Sequence, residues 1–335
     1  YAAAVDQLDA YDTPVDYGQL FTDIRECADL SHQDGSILDF VLADLPRYVE
    51  RDPELGVLLH KLRSAGKRLF LLTNSGPEYT EEMMSFLLGG SLEEYPSWRN
   101  YFDYVVTASK KPSFFTGKAP FTDVESGEET REAERGRLYT GGNFSDFQRS
   151  LGYTGDEVLY VGDHIYGDVL RAKKESTWRT AMIIQEMDDE LRVLREHAIS
   201  FERSASLEQA RGAVQDQLRE QQARLKRVER KLGDAELGTE KASWEAKRVL
   251  HRRSIDRLRS QLKELDAERL ELDDALDQAF HPFWGSVFKA GSEVSSFGNQ
   301  IEQYAGIYTS RASNLAQYSP MHYFESPRHR MPHEV

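Results

Sequence analysis

The chain has 335 residues, and 57 acidic against 42 basic side chains leave a net charge of −15. A field of that sign repels phosphate backbones and anionic lipid, which excludes general affinity for nucleic acid or an acidic membrane. No apolar run reaches the ~18 residues of a spanning helix, and one cysteine, Cys27, can form no internal disulfide, so the expectation is a soluble, cytoplasmic protein of about two domains.

The opening Tyr1-Ala-Ala-Ala carries neither an initiator methionine nor the charged and apolar regions of a signal peptide. Further sequence is therefore expected upstream of Tyr1. Residues 1–40 are mixed and polar, with a helix predicted from Tyr17 to Leu30. Helices are predicted next from Ile37 to Glu50 and from Pro53 to Ala65, the second closed by Gly66 in the left-handed region. Short apolar runs at Arg68–Thr73, Phe102–Thr107, Glu157–Gly162 and Arg179–Ile184 are bounded by Gly, Asn, Asp or a charge, which marks buried parallel strands. Their alternation with helices predicts an α/β fold with a parallel sheet covered on both faces. The charged, Gly-containing stretch from 117 to 142 reads as a hairpin or excursion outside that sheet.

From 188 to 279 the character changes. Proline is absent and good helix formers dominate. Ile255, Leu258, Leu262, Leu265, Leu272, Leu276 and Ala279 recur at three- and four-residue spacings, with Arg269 interrupting the seam. Leu218, Leu225 and Leu232 repeat every seven residues, and the segment from Gly233 to Gly238 would reverse the chain. These patterns predict an antiparallel helical hairpin or coiled-coil arm, either simply solvated or partner-binding. The aromatics of Phe280-His-Pro-Phe-Trp-Gly-Ser-Val-Phe288 suit a segment that packs back onto the core. The organisation expected is thus a mixed, polar N-terminal piece (1–40), an α/β core (41–187), the arm (188–279) and a C-terminal segment on the core (280–335).

Three strand ends could carry chemistry. In Val161-Gly-Asp-His-Ile-Tyr-Gly-Asp168 two carboxylates follow a strand, where open α/β sheets place ligands. Asp163 and Asp168 offer hard oxygens suited to a magnesium ion that touches a substrate phosphate, although Gly and Asp also serve ordinary turns. Thr73-Asn-Ser75 could hold a phosphoryl oxygen beside backbone amides or simply cap a helix. Lys110-Lys-Pro-Ser-Phe-Phe115 could offset phosphate charge or form a solvated basic pair.

Thr, Lys and Asp-x4-Asp in that order resemble motifs two to four of haloacid dehalogenase-like phosphatases. Thr73-Asn-Ser75, Lys111-Pro-Ser-Phe-Phe, Leu138-Tyr-Thr-Gly-Gly142, the octet around Asp163, Trp178-Arg-Thr180 and His281-Pro-Phe-Trp-Gly285 together resemble the cytosolic purine 5′-nucleotidases that prefer IMP and GMP. The resemblance implies a Rossmann-like sheet of the haloacid dehalogenase-like type with an inserted helical arm and part of a cap domain, of which residues 1–40 would be the substrate-recognition remnant. It implies that Thr73, Asn74 and Ser75 hold the phosphoryl group and that Lys111 offsets its charge. Asp163 would ligate Mg²⁺, and Asp168 would support the metal shell or the lysine. Arg25, Asp29 and His32 match the family's purine-recognition spacing, where Arg and His donate to the base and Asp accepts from a ring N–H. Gln33 stands where the family usually has Tyr, and by residue type alone Arg25 and Asp29 make an i,i+4 ion pair. Tyr166 and Lys174 match positions near the family's nucleotide-effector site.

The implied reaction hydrolyses IMP or GMP to nucleoside and phosphate through a phospho-aspartate, with phosphoryl transfer to another nucleoside as a second outcome. Its Asp-x-Asp motif is absent here; Asp12-Thr-Pro-Val-Asp16 has neither the spacing nor a preceding strand, so the nucleophile is expected upstream of residue 1. The resemblance also implies a homo-oligomer and no nucleic-acid or membrane partner. The alternatives are a phosphatase for another phosphomonoester and a non-catalytic assembly protein on a decayed phosphatase core.

Overall fold

The computed structural model describes residues 1–11, 14–234, 238–291 and 293–324. In chain order the elements are α1 (Ala2–Asp9), α2 (Tyr17–Gln33), α3 (Ser36–Leu42), α4 (Leu45–Tyr48), α5 (Pro53–Ser64), β1 (Phe70–Leu72), α6 (Pro77–Leu88), β2 (Tyr104–Thr107), α7 (Ser113–Thr116), β3 (Phe121–Asp123), β4 (Glu129–Thr130) and β5 (Leu138–Gly141). There follow α8 (Phe144–Leu151), β6 (Leu159–Gly162), a π-helical turn (Ile165–Leu170), α9 (Arg171–Glu175), β7 (Arg179–Ile183), α10 (Met187–Glu196), α11 (Ala198–Asp234), α12 (Thr239–Phe280), β8 (Lys289–Ala290), β9 (Glu293–Val294), α13 (Ser296–Tyr304) and β10 (Ile307–Thr309). The chain forms two compact units, Tyr1–Gln185 with Asn299–Val335, and Glu186–Gly298.

The first unit is mixed α/β and rich in parallel pairing. Strands β1, β2 and β5 run parallel, with Phe70 opposite Tyr104 and Val105 opposite Leu138. A second sheet runs β10-β7-β6, also parallel. Among the described residues, β1 and β6 each have a main-chain neighbour on one side only. Side chains join the two sheets instead. The Phe70 and Tyr160 rings stack at 6.3 Å, and Trp178 lies 5.7 Å from the first and 5.8 Å from the second. Val106, Phe114, Phe121 and Phe147 are fully buried in the same core, each worth about 1.5–3 kcal/mol relative to exposure.

Two expectations need correction here. The stretch from 117 to 142 does form a hairpin, but inside the sheet: β3 pairs antiparallel with β5, and β4 with β3. Gly142 permits this with φ +81°, where a Cβ would stand 2.0 Å from the Phe121 ring. The helix expected from Ile37 to Glu50 is broken after Leu42, because the Pro46 ring would meet the carbonyl four residues back.

In the second unit α11 and α12, of 37 and 42 residues, form the expected antiparallel hairpin. Leu207, Val214, Val228, Ile255, Leu258 and Leu276 are buried along its seam. Its register is marked by Arg211 with Asp266, Gln221 with His251 and Arg252 with Glu229. Arg269 interrupts the leucines and donates to Glu208 at 3.1 Å. Gly233 and Asp234 are still helical, and positions 235–237 of the expected reversal lie outside the described residues.

The C-terminal segment divides, contrary to the expectation that all of 280–335 packs on the core. Residues up to Gly298 belong to the helical unit, where the buried Glu190 carboxylate accepts from Ser286 Oγ at 2.8 Å and from the Val287 amide at 2.6 Å. The later residues join the α/β unit. There β10 pairs with β7, and Lys61 donates to the carbonyls of Ala316 and Tyr318 at 2.6 and 2.9 Å. The last residues, Met331-Pro-His-Glu-Val, lie outside the described residues, as do Asp12 and Thr13. Among the described residues no helix is long and apolar enough to cross a membrane.

Candidate active site

Thr73 follows β1, Lys111 follows β2, and Asp163 and Asp168 follow β6. Lys111 draws these strand ends together. Its ammonium donates to Asp168 Oδ1 at 2.7 Å, to the Tyr160 hydroxyl at 3.0 Å and to the Leu72 carbonyl at 3.1 Å. Lys111 and Asp168 keep only 12% and 7% of their side-chain surface exposed, so the pair sits largely outside water. Such a pair persists only where hydrogen bonds replace hydration.

The loop carrying Lys111 is held from below. Ala108 and Lys110 adopt φ of 43° and 57°, a left-handed backbone costing about 1–2 kcal/mol for each non-glycine residue. Asn74 compensates by bonding Lys111 at both ends of its amide: Lys111 N donates to Oδ1 at 2.6 Å, and Nδ2 donates to the Lys111 carbonyl at 2.9 Å. Ser109 Oγ adds bonds to the Thr73 carbonyl at 2.8 Å and to Asn74 Oδ1 at 3.1 Å. Asn74, for which the resemblance implied a phosphoryl contact, is bonded in this structure to the lysine loop. The Thr73 hydroxyl accepts from the Ser75 amide at 3.1 Å and is half-buried beside this loop.

Asp168 is equally constrained. The π-helical turn places it so that Oδ1 also accepts from the Tyr160 hydroxyl at 2.9 Å and Oδ2 from the His164 amide at 3.3 Å. His164 Nδ1 accepts from the Gly167 amide at 2.8 Å and shapes the turn. Gly162 is required at the strand end, since a Cβ there would lie 2.6 Å from that of Asp168. Burial, reinforced by the Asp168 charge, pushes the Tyr160 phenol far above its ordinary value and keeps it a neutral donor.

Asp163 and Asp168 therefore differ in availability. The exposed Asp163 can offer its carboxylate to a hard divalent cation, whereas Asp168 already accepts from three donors and holds the lysine. Among the described residues no three His, Cys, Asp or Glu side chains converge on a metal position. Asp163 alone therefore does not make a metal site, and a cation there would need further ligands.

Arg25 and Asp29 form the i,i+4 pair on α2 at 3.9 Å, with 72% and 63% of their side chains exposed, and His32 is exposed one turn on. Tyr166 and Lys174 both meet α13: the Tyr166 hydroxyl accepts from Gln300 at 3.1 Å, and Lys174 lies over the Tyr304 ring at 5.6 Å. Tyr160, Ser109 and His164 escaped sequence reasoning. Only Tyr160 left a signal, a hydroxyl-bearing aromatic two residues before the strand-end glycine.

The family profile described as the 5′ nucleotidase family matches residues 1–335. A 5′-nucleotidase domain-containing protein of Dictyostelium discoideum is 28% identical over 319 residues, covering 93% of this chain and 48% of that protein. The 5′-nucleotidase domain-containing protein 2 of Homo sapiens is 27% identical over 340 residues, covering 100% of this chain and 58% of its own length. The chain thus spans about half the length of these curated relatives.

Proposed function

Because this chain belongs to the 5′-nucleotidase family over all its residues, we propose that its strand-end cluster serves the hydrolysis of nucleoside 5′-monophosphates, with IMP and GMP preferred. The observation that carries the reading is the Lys111–Asp168–Tyr160 cluster beside Thr73, a buried cation held next to a hydroxyl at the carboxyl ends of parallel strands. An ammonium so placed offsets the negative charge that gathers on a transferring phosphoryl group. In this reading the parallel core is of the haloacid dehalogenase-like type, and the open edges of β1 and β6 support the seating of one further strand between them.

That strand, expected upstream of Tyr1, would carry the Asp-x-Asp pair. One carboxylate oxygen forms a bond to phosphorus as the bond to the nucleoside 5′-oxygen breaks, and the second aspartate gives that oxygen a proton. Water then attacks the phospho-aspartate, returns a proton to the second aspartate and releases phosphate. Thr73 and Ser75 hold phosphoryl oxygens, Lys111 offsets their charge, and Asn74 and Asp168 keep Lys111 in place. Mg²⁺ bound through Asp163 would supply Lewis-acid stabilisation of the same oxygens. Arg25, Asp29 and His32 would read the purine, and Tyr166 and Lys174 would face a nucleotide effector. A cytoplasmic homo-oligomer, with phosphoryl transfer to a second nucleoside as a side reaction, completes the proposal.

The test is Mg²⁺-dependent phosphate release from IMP, GMP and AMP by the full-length parent protein, beside Asp163→Asn. Release from IMP and GMP well above AMP, and lost in the variant, is the expected result. A folded, full-length protein that releases phosphate from none of them refutes the assignment.

A further inference from the structure

Charge along the helical arm is segregated. Residues 219–260 hold 13 Lys and Arg against 7 Asp and Glu, whereas residues 261–280 hold 2 against 7, in a chain whose net charge is −15. One exposed face of α12 repeats this division at single-residue resolution. Arg253, Arg257, Gln261, Glu264 and Glu268 follow at spacings of four, four, three and four, which places them on one stripe of the helix, and all five are exposed. About the midpoint between Ser260 and Gln261 the stripe is self-complementary: Arg257 and Glu264 are equidistant from it, as are Arg253 and Glu268.

We propose that this face of α12 is an interaction surface for a second copy of the same chain, with the two α12 helices antiparallel. A two-fold axis through the midpoint would bring Arg257 against Glu264 of the second copy and Arg253 against Glu268, each contact occurring twice. Within one chain, Arg257 and Glu264 are two helical turns apart and cannot pair. Among the described residues, Arg253, Arg257 and Glu264 take part in none of the ion pairs that lace the arm. Glu268 already accepts from Arg203 of α11 through Oε1, so the Arg257–Glu264 contact carries the interface and Arg253 would add to it at Glu268 Oε2. A polyanion such as nucleic acid would account for the basic half only. A second copy accounts for both halves, and the acidic remainder of the chain repels a polyanion.

The contact is polar and therefore governed by ionic strength, since opposite charges at a helix surface choose partner and orientation more than they add affinity. Cys27 is the one cysteine and is exposed, so the probe is Gln261→Cys in a Cys27→Ser background, placed next to the two-fold axis. Mild oxidation of the full chain is expected to give a disulfide-linked dimer, and ~0.5 M salt to suppress it as the screening length shortens. In that background Arg257→Glu and Glu264→Arg should each lower cross-linking about tenfold. The double variant should restore it, as should an equimolar mixture of the two single variants, because each then meets its opposite charge. Single variants that cross-link like the parent, or a double variant no better than either single, overturn the proposal. Retention on heparin that Arg257→Glu abolishes, without cross-linking in the parent, overturns it too and gives the basic half to a polyanion.

Discussion

Replacing Asp168 by Asn removes a charge while keeping the shape of the side chain, and it isolates the most consequential contact of the α/β unit. Lys111 Nζ would keep the Leu72 carbonyl and the Tyr160 hydroxyl, but its ammonium, on a side chain 12% exposed, would lose the Asp168 carboxylate at 2.7 Å. Removing one partner from a buried pair costs about 3–5 kcal/mol, because the other charge stays dehydrated. Asn can still accept from the lysine, so the lower end, about 3 kcal/mol, is expected. Lys111→Met alone should cost less, about 2 kcal/mol, since the Tyr160 hydroxyl and the His164 amide still donate to the carboxylate. The double variant orphans neither charge and should fall well short of the sum, with a coupling of about 2 kcal/mol. Urea unfolding followed by far-ultraviolet circular dichroism reads all four proteins. Asp168→Asn within about 0.5 kcal/mol of the parent, or single effects that simply add, would refute the claim that this pair braces the site.

Three further outcomes follow from the same contacts. Tyr160→Phe removes the hydroxyl bridging Lys111 and Asp168 and should cost about 1–2 kcal/mol in urea unfolding, leaving secondary structure unchanged. The hydrogen-bonded Arg137 guanidinium holds the Asp123 carboxyl below the usual carboxylate range. That stabilisation is fully present above the unfolded value near ~4 and lost as pH falls through the lower folded value. The stability gap between parent and Arg137→Ala should therefore be constant from pH 7 to about 5 and close toward pH 2, as measured by urea titrations at each pH. Arg269→Leu exchanges a cation in the seam for an apolar side chain and should raise the melting temperature of the arm by a few degrees, read by its helical signal.

The legible parts of this chain were those with a local pattern. Four apolar runs became β1, β2, β6 and β7, and the leucine spacings became the α11–α12 seam, because periodicity reports directly on which face is buried. β5 is not legible as a strand, since Leu138-Tyr-Thr-Gly141 is too short and polar to declare itself without its neighbours β2 and β3. The site divides in the same way. Thr73, Lys111 and Asp168 could be picked out by position after strands, but the bonds that make them a cluster span 39 and 57 residues of sequence. Asn74 illustrates the limit: the resemblance implied a phosphoryl contact, and only the fold shows its amide bonded to the Lys111 backbone.

The bonds along the arm also carry an order of assembly. Those from Arg252 to Glu229, His251 to Gln221, Arg211 to Asp266 and Ser204 to Asp273 span 23, 30, 55 and 69 residues, so each layer can close on the one before it. The last clasp, Val287 to Glu190, spans 97 residues and brings the two ends of the helical unit together. Between β7 and the start of β10, the contact of Gly306 with Thr180 must close a loop of 126 residues. With the clasp made, only about 29 of them remain free, which lowers the chain entropy lost on closure by about 1.3 kcal/mol. An insertion of such length between neighbouring strands thus burdens the folding of the sheet little, because it arrives there already tied.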